Sequence, residues 1–181
     1  ANTTLSLTTA NATNFENLTG GSNAETLNGD GNANVLKGKG GADTLNGNGG
    51  NDTLNAGSGT TNDNLYGGAG DDTLGGTDGD NILDGGTGAD TITSGSGSDT
   101  IVIRSGDGGS SISDADVLKD FSDTNDIIGM SGISYSDLTI EQGTGSYSSH
   151  VVVKKTDTGE FIIIIQNTSL SAVDDNDFSA I

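Results

Sequence analysis

Gly67-Gly68-Ala69-Gly70-Asp71-Asp72-Thr73-Leu74-Gly75 and Gly85-Gly86-Thr87-Gly88-Ala89-Asp90-Thr91-Ile92-Thr93 share one form, G-G-x-G-x-D-x-U-x, with U a large aliphatic residue. Outward from these two copies the phase holds in both directions. The eighth slot carries Leu27, Leu36, Leu45, Leu54, Leu65, Leu74, Leu83, Ile92 and Ile101. Every step is nine residues except Leu54 to Leu65, which is eleven. Residues 20–102 are therefore one nonapeptide written nine times. A fixed period of this kind marks a solenoid, whose units bury their apolar faces only against neighbouring units.

Each slot has a physical role. Glycines in the first, second and fourth slots let the backbone pass through positive φ and bring carbonyls close to a ligand. The sixth slot carries a hard oxygen donor at Asp43, Asp52, Asp63, Asp72, Asp90 and Asp99, with Glu25, Asn34 and Asn81 as departures. Threonine in the seventh slot (Thr26, Thr44, Thr53, Thr73, Thr91, Thr100) suits a short strand. The eighth residue points opposite to its neighbours and supplies the core. Two units then close a coil of about 18 residues. In that register Asp52, Asp72 and Asp90 stack on one side, Asp43 and Asp63 on the other, and Asn81 falls between Asp63 and Asp99.

Two aliphatic residues per coil bury little apolar surface against the backbone entropy of ordering the turns. The stacked carboxylates also repel. A cation with many oxygen ligands answers both problems, and calcium takes roughly six to eight, mixing carboxylates with carbonyls. The candidate metal ligands are the six sixth-slot aspartates with Asn34 and Asn81. The candidate glycine turns are those of Gly38, Gly40, Gly47, Gly49, Gly67, Gly68, Gly70, Gly76, Gly85, Gly86, Gly88, Gly95 and Gly97. Glu25 is one methylene too long and asparagine brings no charge, so the early units and Asn81 make weaker sites. Asp71, Asp78, Asp80 and Asp84 lie outside the sixth slot and read as a solvated acidic face.

The repeat resembles that of the RTX (repeats-in-toxin) family. The resemblance implies an all-β fold, a calcium-loaded parallel β-roll capped by a C-terminal β-hairpin or sheet region, with several Ca2+ ions as cofactor. Three segments are expected: residues 1–19 as an N-terminal cap or linker with a degenerate repeat, 20–102 as the roll, and 103–181 as the capping region. In the first segment Glu16 takes the donor slot and Phe15 covers the first coil. The two residues added before Asp63 are expected to bulge from a turn.

Composition narrows the partners. With 26 acidic against 6 basic residues the formal charge is −20, which repels nucleic acid and anionic membrane. Aromatics at 4% with 31 glycines describe a disordered chain, and that is the expectation for the metal-free state. The preserved aliphatic slot argues for order once calcium is bound. No cysteine is present, so disulfides and thiolate metal sites are excluded. No apolar run reaches the ~20 residues of a membrane span, and no leader peptide is visible. The chain reads as a monomeric piece of a larger protein.

Beyond Val102 the period stops and glycine thins; 23 of the 31 glycines lie in 20–102. Asp116-Val117-Leu118-Lys119-Asp120-Phe121 and Asn125-Asp126-Ile127-Ile128-Gly129-Met130-Ser131-Gly132-Ile133 are similar to the segment after the repeats in serralysin-type proteases and large RTX adhesins. Strands are predicted at 126–130, 138–141, 150–155 and 160–166, with a hairpin turn at 156–159. The run Phe161-Ile162-Ile163-Ile164-Ile165 is expected buried, closing the open end of the roll. The polar tail from Asn167 ends in Asp174-Asp175-Asn176-Asp177-Phe178-Ser179-Ala180-Ile181, similar to an uncleaved signal of type I secretion substrates.

Nothing here points to catalysis. The single histidine, His150, heads an apolar strand and has no nucleophile beside it in sequence. The expected function is a calcium-dependent folding, stability and type I secretion module of a larger extracellular or cell-surface protein, with the type I secretion apparatus as partner. The alternative is a polysaccharide- or surface-binding module, of the epimerase R-module or adhesin-terminus kind. An ice-binding array is disfavoured, because the outward third and fifth slots do not repeat.

Overall fold

The computed structural model describes residues 3–6 and 17–181; the cap expected at Phe15 and Glu16 lies outside the described residues. After β1 (Thr3–Ser6), the repeat contributes one short strand per unit. These are β2 (Asn17–Thr19), β3 (Glu25–Asn28), β4 (Val35–Lys39), β5 (Thr44–Gly49), β6 (Thr53–Gly57), β7 (Asn64–Ala69), β8 (Thr73–Gly75), β9 (Ile82–Thr87), β10 (Thr91–Thr93) and β11 (Thr100–Ile103). Odd strands build one parallel sheet and even strands a second, so successive units alternate between the two faces of a β-roll.

The nine-residue period sets this register. Leu27, Leu45, Leu65, Leu83 and Ile101 stand side by side in one sheet. Leu36, Leu54, Leu74 and Ile92 do the same in the other. All nine are fully buried between the sheets, because adjacent strand residues face opposite ways and the seventh and ninth slots are left outside. The added residues before Asp63 lie in a turn of mostly exposed residues, and the pairings Leu45–Leu65 and Leu54–Leu74 are undisturbed on either side.

Coiling outlasts the sequence period. β12 (Asp116–Leu118) adds in parallel to β10, and β13 (Ile127–Met130) adds to β11, with Leu118 beside Ile92 and Ile128 beside Ile101. β14 (Leu138–Gln142), β15 (Val151–Lys155) and β16 (Phe161–Ile165) follow, each within a residue of its predicted bounds. β16 pairs in parallel with β12, and the antiparallel β15 and β14 extend the sheet from there. Ile162, Ile163, Ile164 and Ile165 are buried, closing the roll end. The 156–159 turn carries a Gly159 N–H bond to the Lys155 carbonyl at 2.8 Å, with Gly159 at φ +73.

One segment departs from expectation. The polar tail ends in a strand, β17 (Phe178–Ala180), which pairs in parallel with β13. Phe178 lies beside Ile128, and Phe178 and Val173 are buried. The acidic cluster forms the turn that delivers this strand. Asp174 Oδ1 accepts the Asn176 N–H at 2.8 Å, and Asp177 Oδ2 accepts the Asp174 N–H at 2.7 Å. The pairing covers an edge that β13 would otherwise present bare.

Candidate metal centres

The turns between strands carry the chemistry, and glycine serves them in two distinct ways. Second- and fourth-slot residues take left-handed backbone, as at Gly68 (φ +112) and Gly70 (φ +125). The first-slot glycines do not. A Cβ on Gly47 would collide with Asp52 Oδ2 and the Gly67 carbonyl, and a Cβ on Gly67 with Asp72 Oδ2 and the Gly85 carbonyl. The same holds at Gly38 with Asp43 Oδ2 and the Ala56 carbonyl. First-slot glycine keeps open a space into which a carboxylate oxygen and a carbonyl converge.

The sixth-slot side chains form two ladders along opposite edges of the roll. On one, the Asn34 N–H donates to Asp52 Oδ1 at 2.7 Å, Asp52 to Asp72 at 2.6 Å, and Asp72 to Asp90 at 2.7 Å. On the other, the Glu25 N–H donates to Asp43 at 2.7 Å, Asp43 to Asp63 at 2.6 Å, Asp63 to Asn81 at 2.9 Å and Asn81 to Asp99 at 2.8 Å. Each carboxylate thus spends one oxygen holding the preceding coil in register. The other is left over. Oδ2 of Asp43, Asp52, Asp72, Asp90 and Asp99 is buried with no hydrogen-bond partner.

Such oxygens are costly as charges. Burial pushes Asp52, Asp63 and Asp99 up to about 6 and Asp72 to about 7, against the pull of the neighbouring N–H groups. Burial raises Asp43 and Asp90 as well. Among the described residues no three acidic, histidine or cysteine side chains come together as a cage. An ion at these edges must therefore combine separate carboxylates with backbone carbonyls. That donor set fits a hard divalent cation with flexible coordination, which is calcium.

Residues 19–54, 28–61, 58–77 and 75–109 match the family model of the RTX calcium-binding nonapeptide repeat. The chain belongs to the RTX calcium-binding repeat family. Two solved structures share this RTX roll. The AlgE6R2 subunit of the Azotobacter vinelandii mannuronan C5-epimerase aligns with TM-score 0.53 at 24% identity, covering 71% of this chain and 86% of that one. The AlgE6R3 subunit of the same enzyme aligns with TM-score 0.50 at 23% identity, covering 71% and 77%. Comparison with curated protein sequences returned no significant match.

The RTX turns are not all equivalent, and the turn at Asn81 is built differently from those at the aspartates. Asn81 Oδ1 must face the Asp63 N–H, which turns Nδ2 toward the turn. There Nδ2 donates to the Gly76 carbonyl at 3.2 Å and the Gly79 carbonyl at 3.0 Å. Thr77, at φ +70, donates its hydroxyl to the Gly76 carbonyl at 2.5 Å and to the Gly57 carbonyl. Side-chain donors here take carbonyls of the kind a cation would use. At Asn34, by contrast, Oδ1 accepts the Asp30 N–H at 2.8 Å and faces the open space at Gly29. Glu25 folds back on its own unit, accepting the Gly21 N–H at 2.9 Å.

Other candidate glycines donate their N–H groups within the roll. The Gly40 and Gly49 N–H groups bond the Gly21 and Asp30 carbonyls at 3.2 and 3.1 Å, and the Gly95 N–H bonds Asp120 Oδ2 at 2.9 Å. A first-slot Cβ on Gly85 would meet Asp90 Oδ2, so that space is preserved. Gly86, Gly88 and Gly97 are left-handed turn residues.

Sequence reasoning missed two groups. Asp116 and Asp126 take the sixth-slot role beyond the period, accepting the Asp90 N–H at 3.0 Å and the Asp99 N–H at 3.1 Å. Burial pushes Asp116 up strongly, and Asp90's charge adds to it. All four of the supposed solvated aspartates have structural partners; Asp78 Oδ1 accepts the Ser96 hydroxyl at 2.6 Å. Asp71 Oδ1 accepts the Ala89 N–H at 3.0 Å, Asp80 Oδ1 accepts the Ser98 N–H at 2.9 Å, and Asp84 pairs with Arg104 at 2.5 Å. Asn51 and Asn62 do the same one coil earlier, for Asp71 and Asp80, both at 3.1 Å. This fifth-slot spacing of Asn and Asp was the available signal. His150 Nδ1 accepts the Asn167 N–H at 3.2 Å, bracing the hairpin.

Proposed function

We propose that this RTX roll is a calcium-dependent folding and stability module of a larger extracellular protein passed through a type I secretion apparatus. The supporting observation is the row of buried, partnerless Oδ2 atoms at Asp43, Asp52, Asp72 and Asp90, facing spaces that first-slot glycines keep open; Asp99 Oδ2 is also buried and unpartnered, in a unit whose first slot is Ser94. The ligand sets proposed from these observations are Asp52 with Asp72, Asp72 with Asp90, and Asp43 with Asp63, each completed by turn carbonyls. The roll is non-catalytic in this reading.

The physics connects the sites to export. Extracellular calcium modules bind at about 10⁻⁴–10⁻³ M, far above cytosolic free calcium. Inside the cell the chain stays open, spread by its charge of −20. Outside, each ion binds only the folded state and adds stability by mass action. The test is circular dichroism in excess chelator and then in millimolar calcium. A disorder-to-order transition is expected; full β-structure in chelator overturns the switch.

A second reading has a specific observation behind it: both structural neighbours above are subunits of a mannuronan C5-epimerase. In that reading the sugar docks in an exposed groove of about 300 Å³ lined by Tyr66, Asp84, Thr87 and Arg104, a proposal that rests on the groove's presence alone. Chemical-shift changes at Tyr66 and Arg104 on adding mannuronan oligomers support this reading, and unmoved resonances dismiss it. No helix among the described residues is long and apolar enough to cross a membrane.

A further inference from the structure

The capping hairpin has an outer face that the roll does not use. Along β15, Val151 and Val153 join the core, and alternation turns Val152 to the other side of the sheet. Val152 pairs with Ile164, and Ile164 with Val117, so the three form a row across that outer face. Val152 and Ile164 are nonetheless only 1% and 2% exposed. The segments carrying Ile112 and Tyr147 stand over them and leave a groove of about 310 Å³ between, with Val152 and Phe161 in its lining. Glu141 and Lys154 line the same groove as an ion pair, and Lys154 Nζ lies 4.7 Å from the centroid of the Phe161 ring.

The Tyr147 wall is held in place by the hairpin itself. Gln142 Nε2 donates to the Ser148 and His150 carbonyls at 3.2 and 2.7 Å, and its Oε1 accepts the Leu170 N–H at 2.9 Å. The Gly143 N–H donates to the His150 carbonyl at 2.9 Å. A Cβ on Gly143 would collide with the Tyr147 carbonyl, so only glycine lets the loop fold this closely. A wall fixed in advance costs little ordering when a ligand arrives. The chain has four phenylalanines, three tyrosines and no tryptophan, so two aromatic rings in one groove are a concentration of a scarce resource.

We infer that this groove binds a neutral saccharide. Tyr147, Phe161, Ile112 and Val152 offer aromatic and aliphatic surface to the C–H face of a sugar ring, and Glu141 and Lys154 offer an acceptor and donors to its hydroxyls. A volume of about 310 Å³ suits a ligand of one or two rings. Charge selects a neutral one. Glu141 and Lys154 are the charged residues of the lining and neutralise each other, in a chain whose formal charge is −20. An anionic ligand meets no free cation there and is repelled by the rest of the surface. The groove lies off the two carboxylate edges and is distinct from the groove of Tyr66 and Arg104, so the inference is independent of both readings above.

Saturation-transfer difference NMR on the full chain in millimolar calcium tests it, with maltose, cellobiose and lactose as probes. Transfer to at least one of these neutral disaccharides is expected. Tyr147→Ala should weaken that affinity about tenfold, for the loss of one stacked ring, with the circular dichroism in calcium unchanged. No transfer to any of the three sugars overturns the inference, as does transfer undiminished in Tyr147→Ala. Should that variant fail to fold, amide shifts of the parent decide. Movement at Thr144 and Lys154 on adding the sugar that shows transfer supports the groove, and stationary signals at both overturn it.

Discussion

The two edges of the roll are built from the same nonapeptide but are completed differently. On the Asp52 edge, Asp52, Asp72, Asp90 and Asp116 follow one another, each with an Oδ2 that nothing in the protein satisfies. On the Asp43 edge the series is broken at Asn81, where an amide and the Thr77 hydroxyl donate into the turn, and it ends at Asp126, whose second oxygen is satisfied by Ser122 and Ser94. A carbonyl-lined turn can be neutralised by an external cation or by donors carried on the chain. The first makes folding conditional on the medium; the second does not.

The largest expected effect breaks the Asp52 edge. Asp72→Ala removes a ligand shared by two proposed sites and leaves the Asp52 N–H without its acceptor. A loss of about 3–5 kcal/mol is expected in saturating calcium, the scale for removing one member of a buried charge cluster, together with a higher calcium midpoint. Asn81→Ala should cost about 1–3 kcal/mol, for an N–H left unpaired and lost amide donors, and should move the midpoint far less. Coincident titration curves for the two variants would abolish the distinction between the edges.

A next test converts one edge into the other. Asn81→Asp replaces the donor facing Gly76 and Gly79 with an oxygen. In low calcium the variant should be less stable than the parent, by about 1–3 kcal/mol for the buried carboxylate without a partner. In saturating calcium it should recover and bind an additional ion by calorimetry. Loss of stability at every calcium concentration would mean that the Asp43 edge cannot be made conditional.

Acidity should separate the two ways of completing a turn. Asp52, at about 6, and Asp72, at about 7, lie above the ordinary aspartate value of 3.8 because burial disfavours the charge. The metal-free fold then binds more protons than the unfolded chain between those limits. Its stability from these groups is fullest below about pH 4 and declines as pH rises through 6 to 7. Calcium needs the deprotonated ligands, so the loaded fold changes in the opposite sense. In chelator, circular dichroism should therefore show more residual order at about pH 4.5 than at about pH 7.5, whereas the melting temperature in saturating calcium should rise over the same interval; changes of the same sign would contradict the assignment.

The smallest effect belongs to Thr77→Gly. It relieves a β-branched residue held at φ +70 while surrendering hydroxyl bonds to the Gly57 and Gly76 carbonyls. The two contributions are each about 1 kcal/mol and opposed, so thermal stability should move by no more than about 1 kcal/mol. A larger loss would show that the hydroxyl matters more to this edge than the Asn81 amide.

The nonapeptide by itself determined the two-sheet roll, the buried eighth slot and the stacking of sixth-slot donors two units apart. A strict period repeats the same local choice of turn, strand and inward residue, so every unit votes for one register. The strands at 127–130, 138–142, 151–155 and 161–165 were legible for a related reason, since alternation and apolar runs are local signals. What only the tertiary structure decided was where a residue far away in sequence completes a neighbour. Asp116 and Asp126 stand in for missing repeats across insertions that erase the period. Phe178 reaches β13 from a tail that reads as polar. Asn81 fills its turn with a donor only because the Asp63 N–H, eighteen residues earlier, claims its oxygen. Local sequence dictates which groups a turn presents; whether each finds a hydrogen-bond partner or is left for an ion depends on the coil stacked against it.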